Sequence, residues 1–208
     1  MKLKICGLKY PDNVHQLLTL EPDYLGFIFY KKSPRYVGEV ADLDWVKNLP
    51  RNARKVGVFV NEEVEVMKSI AAALGLQIVQ LHGDESPAIC EAIKKNGFEV
   101  WKAFGVDEDF DFEKTAAYTG FCDHFLFDTK GKNRGGNGVA FDWGLLEKYE
   151  GETPFVLSGG IDLRFTIYDL RLEARKMPSV LDINSRFETE PGLKDFELVK
   201  KFKHELFS

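Results

Sequence analysis

The chain has 208 residues, 44% apolar and 29% charged, enough for one sizeable core in a single domain spanning 1–208. Its 28 Lys and Arg against 33 Asp and Glu leave a net charge of -5, which argues against nucleic-acid binding, because that needs clustered basic residues. No apolar run approaches the roughly 18 residues that span a membrane, and the charged start Met1-Lys2-Leu3-Lys4-Ile5-Cys6 lacks the apolar stretch of a signal peptide, so the expected location is cytoplasmic.

In chain order, short apolar runs alternate with helical periodicity. A strand is expected at 3–6, then a helix over about 11–20 opened by Pro11, a strand at 24–29 and a helix over 41–49. Next come a strand at 55–60, a helix over 62–75 stopped at Gly75, a strand at 77–81 and a helix over 86–96 opened by Pro87 and stopped at Gly97. A strand at 98–103 leads to a short, poor helix over 111–119. Strands at 124–128, 154–158 and 180–184 then alternate with helices over 142–149, 163–175 and 193–206. Eight strands separated by crossovers pair in parallel. Units of about 26 residues suit a (β/α)8 TIM barrel, an α/β fold, near its lower size limit. The competing doubly wound sheet opens with GxGxxG, and Cys6-Gly7-Leu8-Lys9-Tyr10 does not match it. The irregular connection 129–141, with Gly131, Gly135, Gly136 and Gly138, has the length and glycine content of a functional lid.

Barrel active sites lie at the carboxyl ends of the strands. Those ends carry Cys6, Ser33-Pro34-Arg35, Asn61, His82-Gly83, Gly105, Asp128, Ser158-Gly159-Gly160 and Asn184-Ser185. Taken singly, each has an ordinary structural reading: Cys6 as a core thiol, Asp128 as a cap or turn residue, Arg35 as a solvated loop cation, Gly159-Gly160 as a tight turn. Together, a thiol, a carboxylic acid and a guanidinium on one rim supply a soft base, an acid and an anion clamp. The loops after strands seven and eight form the usual phosphate site of such barrels, where glycines let backbone N–H groups approach an anion. His82 stands without a second rim histidine and reads as a hydrogen-bonding residue rather than a metal ligand. His124 begins its strand at the opposite mouth, and His15 and His204 fall on helix surfaces. Cys6, Cys90 and Cys122 are odd in number and lack CxxC spacing. They are expected as free thiols, with Cys90 and Cys122 packing in the core.

The segments Lys4-Ile5-Cys6-Gly7, Gly26-Phe27-Ile28-Phe29, Ser33-Pro34-Arg35-Tyr36-Val37, Val56-Gly57-Val58-Phe59 and Gln80-Leu81-His82-Gly83-Asp84 follow one another in a characteristic order. So do Phe127-Asp128-Thr129, Gly135-Gly136-Asn137-Gly138, Leu157-Ser158-Gly159-Gly160 and Asp182-Ile183-Asn184-Ser185, ahead of Glu188, Pro191-Gly192 and Lys194-Asp195. The ordered set resembles the phosphoribosylanthranilate isomerases of tryptophan biosynthesis over almost the whole chain. Three places depart from that pattern: Asn137 where the family usually has Thr, Ser185-Arg186-Phe187-Glu188 where it commonly has Ser-Gly-Val-Glu, and Ile161-Asp162-Leu163-Arg164 where it has Pro-Glu-Asn.

The resemblance implies an Amadori rearrangement of N-(5-phosphoribosyl)anthranilate to 1-(o-carboxyphenylamino)-1-deoxyribulose 5-phosphate. It implies Asp128 as general acid and Cys6 as general base, with Arg35 on the anthranilate carboxylate. Gly159, Gly160, Asn184 and Ser185 would hold the phosphate, and His82 would join the substrate-binding set. The intermediate iminium is its own electron sink, so no cofactor or metal is called for. The implied partner is a small phosphosugar, handled by a monomer or homodimer. The alternatives are another phosphosugar isomerase or epimerase on the same barrel, or a non-catalytic phosphate-ligand binder; a metabolite binder would not require both Cys6 and Asp128.

Strand periodicity adds an expectation of its own. With Leu3, Ile5, Leu181 and Ile183 facing the helices, Lys4 and Asp182 fall on the barrel interior with Cys6 and Asn184. Barrel closure makes the first and eighth strands neighbours, so Lys4 and Asp182 are expected to pair beneath the rim.

Overall fold

The computed structural model describes residues 1–130, 141–170 and 177–207. Eight parallel strands close in sequence order into one barrel. They are β1 (Lys2–Ile5), β2 (Tyr24–Ile28), β3 (Arg54–Phe59), β4 (Ile78–Leu81), β5 (Glu99–Val106), β6 (His124–Thr129), β7 (Phe155–Leu157) and β8 (Val180–Ile183). Closure runs through β1 and β8, with Lys4 opposite Asp182 and Ile5 opposite Ile183. This is the TIM-barrel fold expected from the alternation of runs.

Side-chain alternation along the strands produces two separate cores. Leu3, Ile5, Leu25, Phe27, Leu181 and Ile183 pack outward against the helical layer. Cys6, Tyr24, Val56, Val58, Ile78, Trp101, Ala103, Leu126, Val156 and Val180 form a smaller interior cluster. Low in the barrel, Tyr24 meets Trp101 edge-on at 5.0 Å between ring centroids, and the Lys4 ammonium lies 6.0 Å from the Trp101 ring. These side chains plug the barrel interior beneath the upper rim.

The outer layer holds α1 (Pro11–Leu18), α2 (Asp44–Lys47), α3 (Val64–Leu74), α4 (Pro87–Lys95) and α5 (Phe196–Phe207). Proline opens α1 and α4, where its missing N–H costs nothing. Gly75 ends α3 in the left-handed conformation, φ 62°. Several expectations are corrected here. The helix expected over 142–149 is a 3-10 turn, Trp143–Lys148, with the Asp142 carboxylate accepting from Gly144 N at 3.0 Å; six residues with a glycine at the start favour the tighter turn over an α-helix. The poor helix over 111–119 is likewise a 3-10 segment, Phe112–Tyr118. The helix expected over 193–206 begins only at Phe196, because residues just before it form a hairpin of β9 (Glu188–Glu190) and β10 (Leu193–Lys194). Asp195 then caps α5 by accepting from Leu198 N at 3.0 Å, a bond that fixes the helix start. β5 runs on to Val106, so Gly105 lies within the strand, opposite Asp128. Of the helix expected over 163–175, Ile167–Leu170 is a 3-10 turn and 171–176 lie outside the described residues. The expected lid over 129–141, with Asn137, also falls mostly outside them.

Candidate active site

Cys6 directly follows β1 and is 4% exposed, with its N–H donating to Ile183 O at 2.9 Å. Its thiol has room because β2 carries Gly26 alongside it. A Cβ on that residue would lie 2.8 Å from Cys6 Sγ and 3.0 Å from Cys6 Cα, so the close approach of the two strands requires glycine. Burial pushes the Cys6 thiol up, and Asp182 pushes the same way, while Lys4 and Lys194 pull it down.

Beneath Cys6, Lys4 and Asp182 pair at 2.7 Å with side-chain exposures of 0% and 4%. The interior pair expected from strand periodicity is therefore present. Burial alone would lower the Lys4 ammonium, but Asp182 and Cys6 raise it above the ordinary lysine value, so Lys4 is charged.

Asp128 ends the interior face of β6 and is 7% exposed. Its Oδ1 accepts from Thr129 N at 2.8 Å, and Oδ2 lies 3.4 Å from His82 Nε2. His82 Nδ1 is 2.9 Å from Gln80 Nε2. If the amide donates there, Nε2 carries the imidazole proton and faces Asp128 as a donor. The loop bearing His82 is tied down by Glu85, whose carboxylate accepts from Asn61 N at 2.8 Å, Gly83 N at 2.9 Å and Lys102 Nζ at 3.2 Å.

The Asp128 carboxylate is boxed in from the loop after β7 as well. Gly159 has φ +83°, and a Cβ there would lie 2.4 Å from Thr129 Oγ1 and 2.7 Å from Asp128 Oδ1. Gly159→Ala is therefore strained in backbone and in contact. It is expected to lower kcat/KM by at least about tenfold by displacing the carboxylate. Steady-state kinetics with a thermal melt as folding control would check this; wild-type kcat/KM would show that Asp128 tolerates the shift.

Arg35 leaves the loop after β2 and reaches across to Glu188 on β9. Its Nε lies 2.9 Å from Oε1, and Nη2 lies 2.7 Å from Oε2. The guanidinium is thus not the free loop cation of its bland reading. One edge of its fork is engaged by a buried carboxylate. Arg35 shares Glu188 with Lys194, whose Nζ lies 2.5 Å from Glu188 Oε1 and 2.7 Å from Asn184 Oδ1.

The eight site residues named from the sequence border one cleft: Cys6, Arg35, His82, Asp128, Gly159, Gly160, Asn184 and Ser185. Ile28, Tyr30, Val58, Val60 and Ile161 give it an apolar and aromatic wall, Ser33, Gln80, Thr129, Ser158 and Asp182 add polar groups, and Arg186 borders it beside Ser185. The cleft can therefore take a flat ring against its apolar wall and an anion at the glycine loops. It presents a thiol and a carboxylic acid to whatever lies between. Sequence reasoning carried Gln80, Glu188 and Lys194 only within the segments of the resemblance and gave none of them a role. Gln80 follows the interior alternation of β4, a signal that was available. Glu188 and Lys194 come from an unexpected hairpin, which no periodicity marked. His124 sits at the opposite mouth, 3.5 Å from Glu99, Cys90 and Cys122 are buried, and His15 and His204 are exposed, all as the sequence reading places them.

A family model described as N-(5'phosphoribosyl)anthranilate (PRA) isomerase matches residues 3–205. An N-(5'-phosphoribosyl)anthranilate isomerase from Parabacteroides distasonis is 41% identical, over 97% of this chain and 91% of that protein. Among solved structures, the phosphoribosyl anthranilate isomerase from Thermotoga maritima superposes with a TM-score of 0.86 at 35% identity, covering 97% of this chain and 96% of the other. A phosphoribosyl anthranilate isomerase in complex with reduced 1-(o-carboxyphenylamino)-1-deoxyribulose 5-phosphate superposes with a TM-score of 0.83 at 33% identity, with the same coverages.

Proposed function

The chain belongs to the N-(5'-phosphoribosyl)anthranilate isomerase family, and from that premise we propose how its cleft carries out the reaction. The enzyme is an intramolecular isomerase of tryptophan biosynthesis. Its reaction is the Amadori rearrangement of N-(5-phosphoribosyl)anthranilate to 1-(o-carboxyphenylamino)-1-deoxyribulose 5-phosphate. The observation that carries this reading is the presence of Cys6 and Asp128 on one cleft, each buried at a strand end, with Gly159-Gly160 and Asn184-Ser185 on its rim.

Asp128 gives its proton to the furanose ring oxygen, the C1–O bond breaks, and the anilino nitrogen lone pair forms the iminium. That cation acidifies the sugar C2 proton, which the Cys6 thiolate removes; the electron pair of the C–H bond flows into the iminium and yields an enol-amine. Tautomerisation gives the ketone, with the atoms of the substrate conserved. His82 orients the Asp128 carboxyl, Arg35 faces the anthranilate carboxylate, and the glycine loops hold the phosphate. The direct test is a fluorescence assay of the purified protein on N-(5-phosphoribosyl)anthranilate with chelator present. Turnover undiminished by chelator is expected. Loss with chelator, restored by a divalent metal, would overturn the acid–base mechanism.

The role of Arg35 has its own test. Arg35→Ala is expected to raise KM for substrates carrying the anthranilate carboxylate by at least about tenfold, the cost of losing one charge-assisted contact, with a smaller change in kcat. An analogue without that carboxylate should be far less affected. Equal loss of kcat/KM on both substrates would assign Arg35 to holding Glu188 and the loop, not to the ligand.

A further inference from the structure

Two fully buried charges near the rim take no part in the mechanism above. Lys102 of β5 and Glu85, in the turn before α4, pair at 3.2 Å with side-chain exposures of 3% and 0%. Lys102 points away from the barrel interior, because its neighbours Trp101 and Ala103 both belong to the interior cluster. Its ammonium donates to Gly83 O at 2.8 Å, Ala103 O at 2.9 Å and Leu81 O at 3.3 Å as well as to Glu85. Four acceptors thus share three protons. The Glu85 carboxylate meets only donors: Asn61 N at 2.8 Å, Gly83 N at 2.9 Å and the Lys102 ammonium.

These bonds converge on the two residues that flank His82. Leu81 O and Gly83 O go to one ammonium, and Gly83 N goes to its partner carboxylate. His82 N itself donates to Phe59 O of β3 at 2.8 Å. The turn has no slack: a Cβ on Gly83 would lie 2.2 Å from Asn61 Oδ1 and 2.6 Å from Glu85 Oε1. Asn61 sits in the left-handed region at φ 51°. It is held there by Glu85 at its N–H and by Asp84 N, which donates to its Oδ1 at 2.7 Å. The His82 backbone is therefore fixed relative to β3, β4 and β5 at once. Its ring reaches Asp128 across 3.4 Å. That is the long end of a hydrogen bond, so a shift of roughly half an ångström would break the contact.

Stability alone does not call for ions here. A buried pair repays its desolvation only with good geometry, and apolar residues of similar volume often do as well. What the pair adds is direction. We propose that Glu85 and Lys102 are positioning residues for the acid step: their ion pair locks the Leu81–Gly83 backbone so that the His82 ring meets the Asp128 carboxyl. The inference rests on the reading of Asp128 as the acid.

The test uses the full-length chain with Glu85→Gln, Lys102→Met, the two combined, His82→Asn, and His82→Asn added to the combination. In Glu85→Gln an amide NH2 replaces an oxygen that faces only donors, and Lys102→Met strands the carboxylate. Both single variants are expected to melt at lower temperature. The combined variant strands no charge, and its amide oxygen can still take Asn61 N and Gly83 N, as Glu85 Oε1 does at 2.8 and 3.1 Å. It decides the matter if a single variant does not fold. Because it lacks the ammonium on Leu81 O and Gly83 O, its kcat should fall by at least about tenfold, with KM changing far less. In protein carrying isotope-labelled histidine, the His82 ring signals are identified by their loss in His82→Asn. In the combined variant they should move toward those of a solvent-exposed imidazole. In the His82→Asn background the same two changes should cost no further kcat. Unchanged kcat, a loss confined to KM, unmoved His82 signals, or an equal further loss in the His82→Asn background each overturns the proposal. Full activity of Asp128→Asn would instead overturn the acid assignment, while the ring signals would still show whether the pair holds His82.

Discussion

Cys6→Ala is expected to cut kcat by about 10²–10⁴-fold, the usual worth of a positioned proton-transfer group, while product affinity stays near wild type. The side chain is buried beside Gly26, and the phosphate and the carboxylate are assigned to other residues, so its removal leaves those binding groups in place. Ala also shortens the residue by one atom only, so the cost to folding is that of a small cavity and falls well below the catalytic loss. Asp128→Asn tests the partner step. The amide keeps the shape and can still accept from Thr129 N, as Oδ1 now does at 2.8 Å, but it has no acidic proton for the ring oxygen. A comparable fall in kcat is expected, with KM little changed. Stopped-flow or steady-state fluorescence for turnover and calorimetry for product binding separate the two effects. Near-wild-type kcat in either variant would refute the role given to that residue. Loss of product binding in step with kcat would mean that the site had been dismantled rather than disarmed.

What the sequence made legible depended on where periodicity operates. Strand residues announce themselves twice, by apolar content and by alternation, and that pattern placed Lys4, Cys6, Asp182 and Asn184 inside the barrel, Lys4 and Asp182 on its buried strands. Rim residues such as Asp128, Gly159 and Gly160 follow from counting strand ends, since the fold puts every strand's carboxyl end at the same mouth. The hairpin of β9 and β10 escaped because five residues in two short strands are below the span over which alternation can be told from chance. Lys194 went with it: the expected helix over 193–206 took it in and gave it no role, yet it is fully buried against Asn184 and Glu188. The pairing of Arg35 with Glu188 joins positions 153 residues apart, a contact that only the closed barrel creates. Gly105 misled in the opposite direction, since a glycine interrupts an apolar run even where the ladder continues to Val106 opposite Thr129.

Lys4→Met and Asp182→Leu should each destabilise the chain by about 3–5 kcal/mol, the cost of stranding one member of a buried ion pair. The double variant should lose much less than the sum. Lys4 Nζ lies 2.7 Å from Asp182 Oδ2 with both side chains almost wholly buried, and the neighbouring interior is apolar, formed by Tyr24, Trp101 and Val180. An isolated ammonium or carboxylate there is almost wholly cut off from solvent. Asp182 has a second reason to need its partner, because its Oδ1 is buried without a hydrogen bond among the described residues. Replacing both charges with apolar groups removes the two desolvation costs together, which is why such exchanges are often close to neutral. Urea melts of the wild type, the two single variants and the double variant measure the coupling directly. They belong at neutral pH: the Lys4 value is raised, so its stabilising contribution is complete below the ordinary lysine value and is lost only as pH climbs through the raised one. The same variants separate stability from chemistry. The double variant, even if folded as well as the wild type, lacks the Lys4 cation beneath Cys6 and also the Asp182 anion that opposes it. Its kcat should therefore fall less than that of Lys4→Met, which leaves only the anion beside the thiol. Simple additivity of the two stability changes would show that the charges do not act on each other across the closing strands.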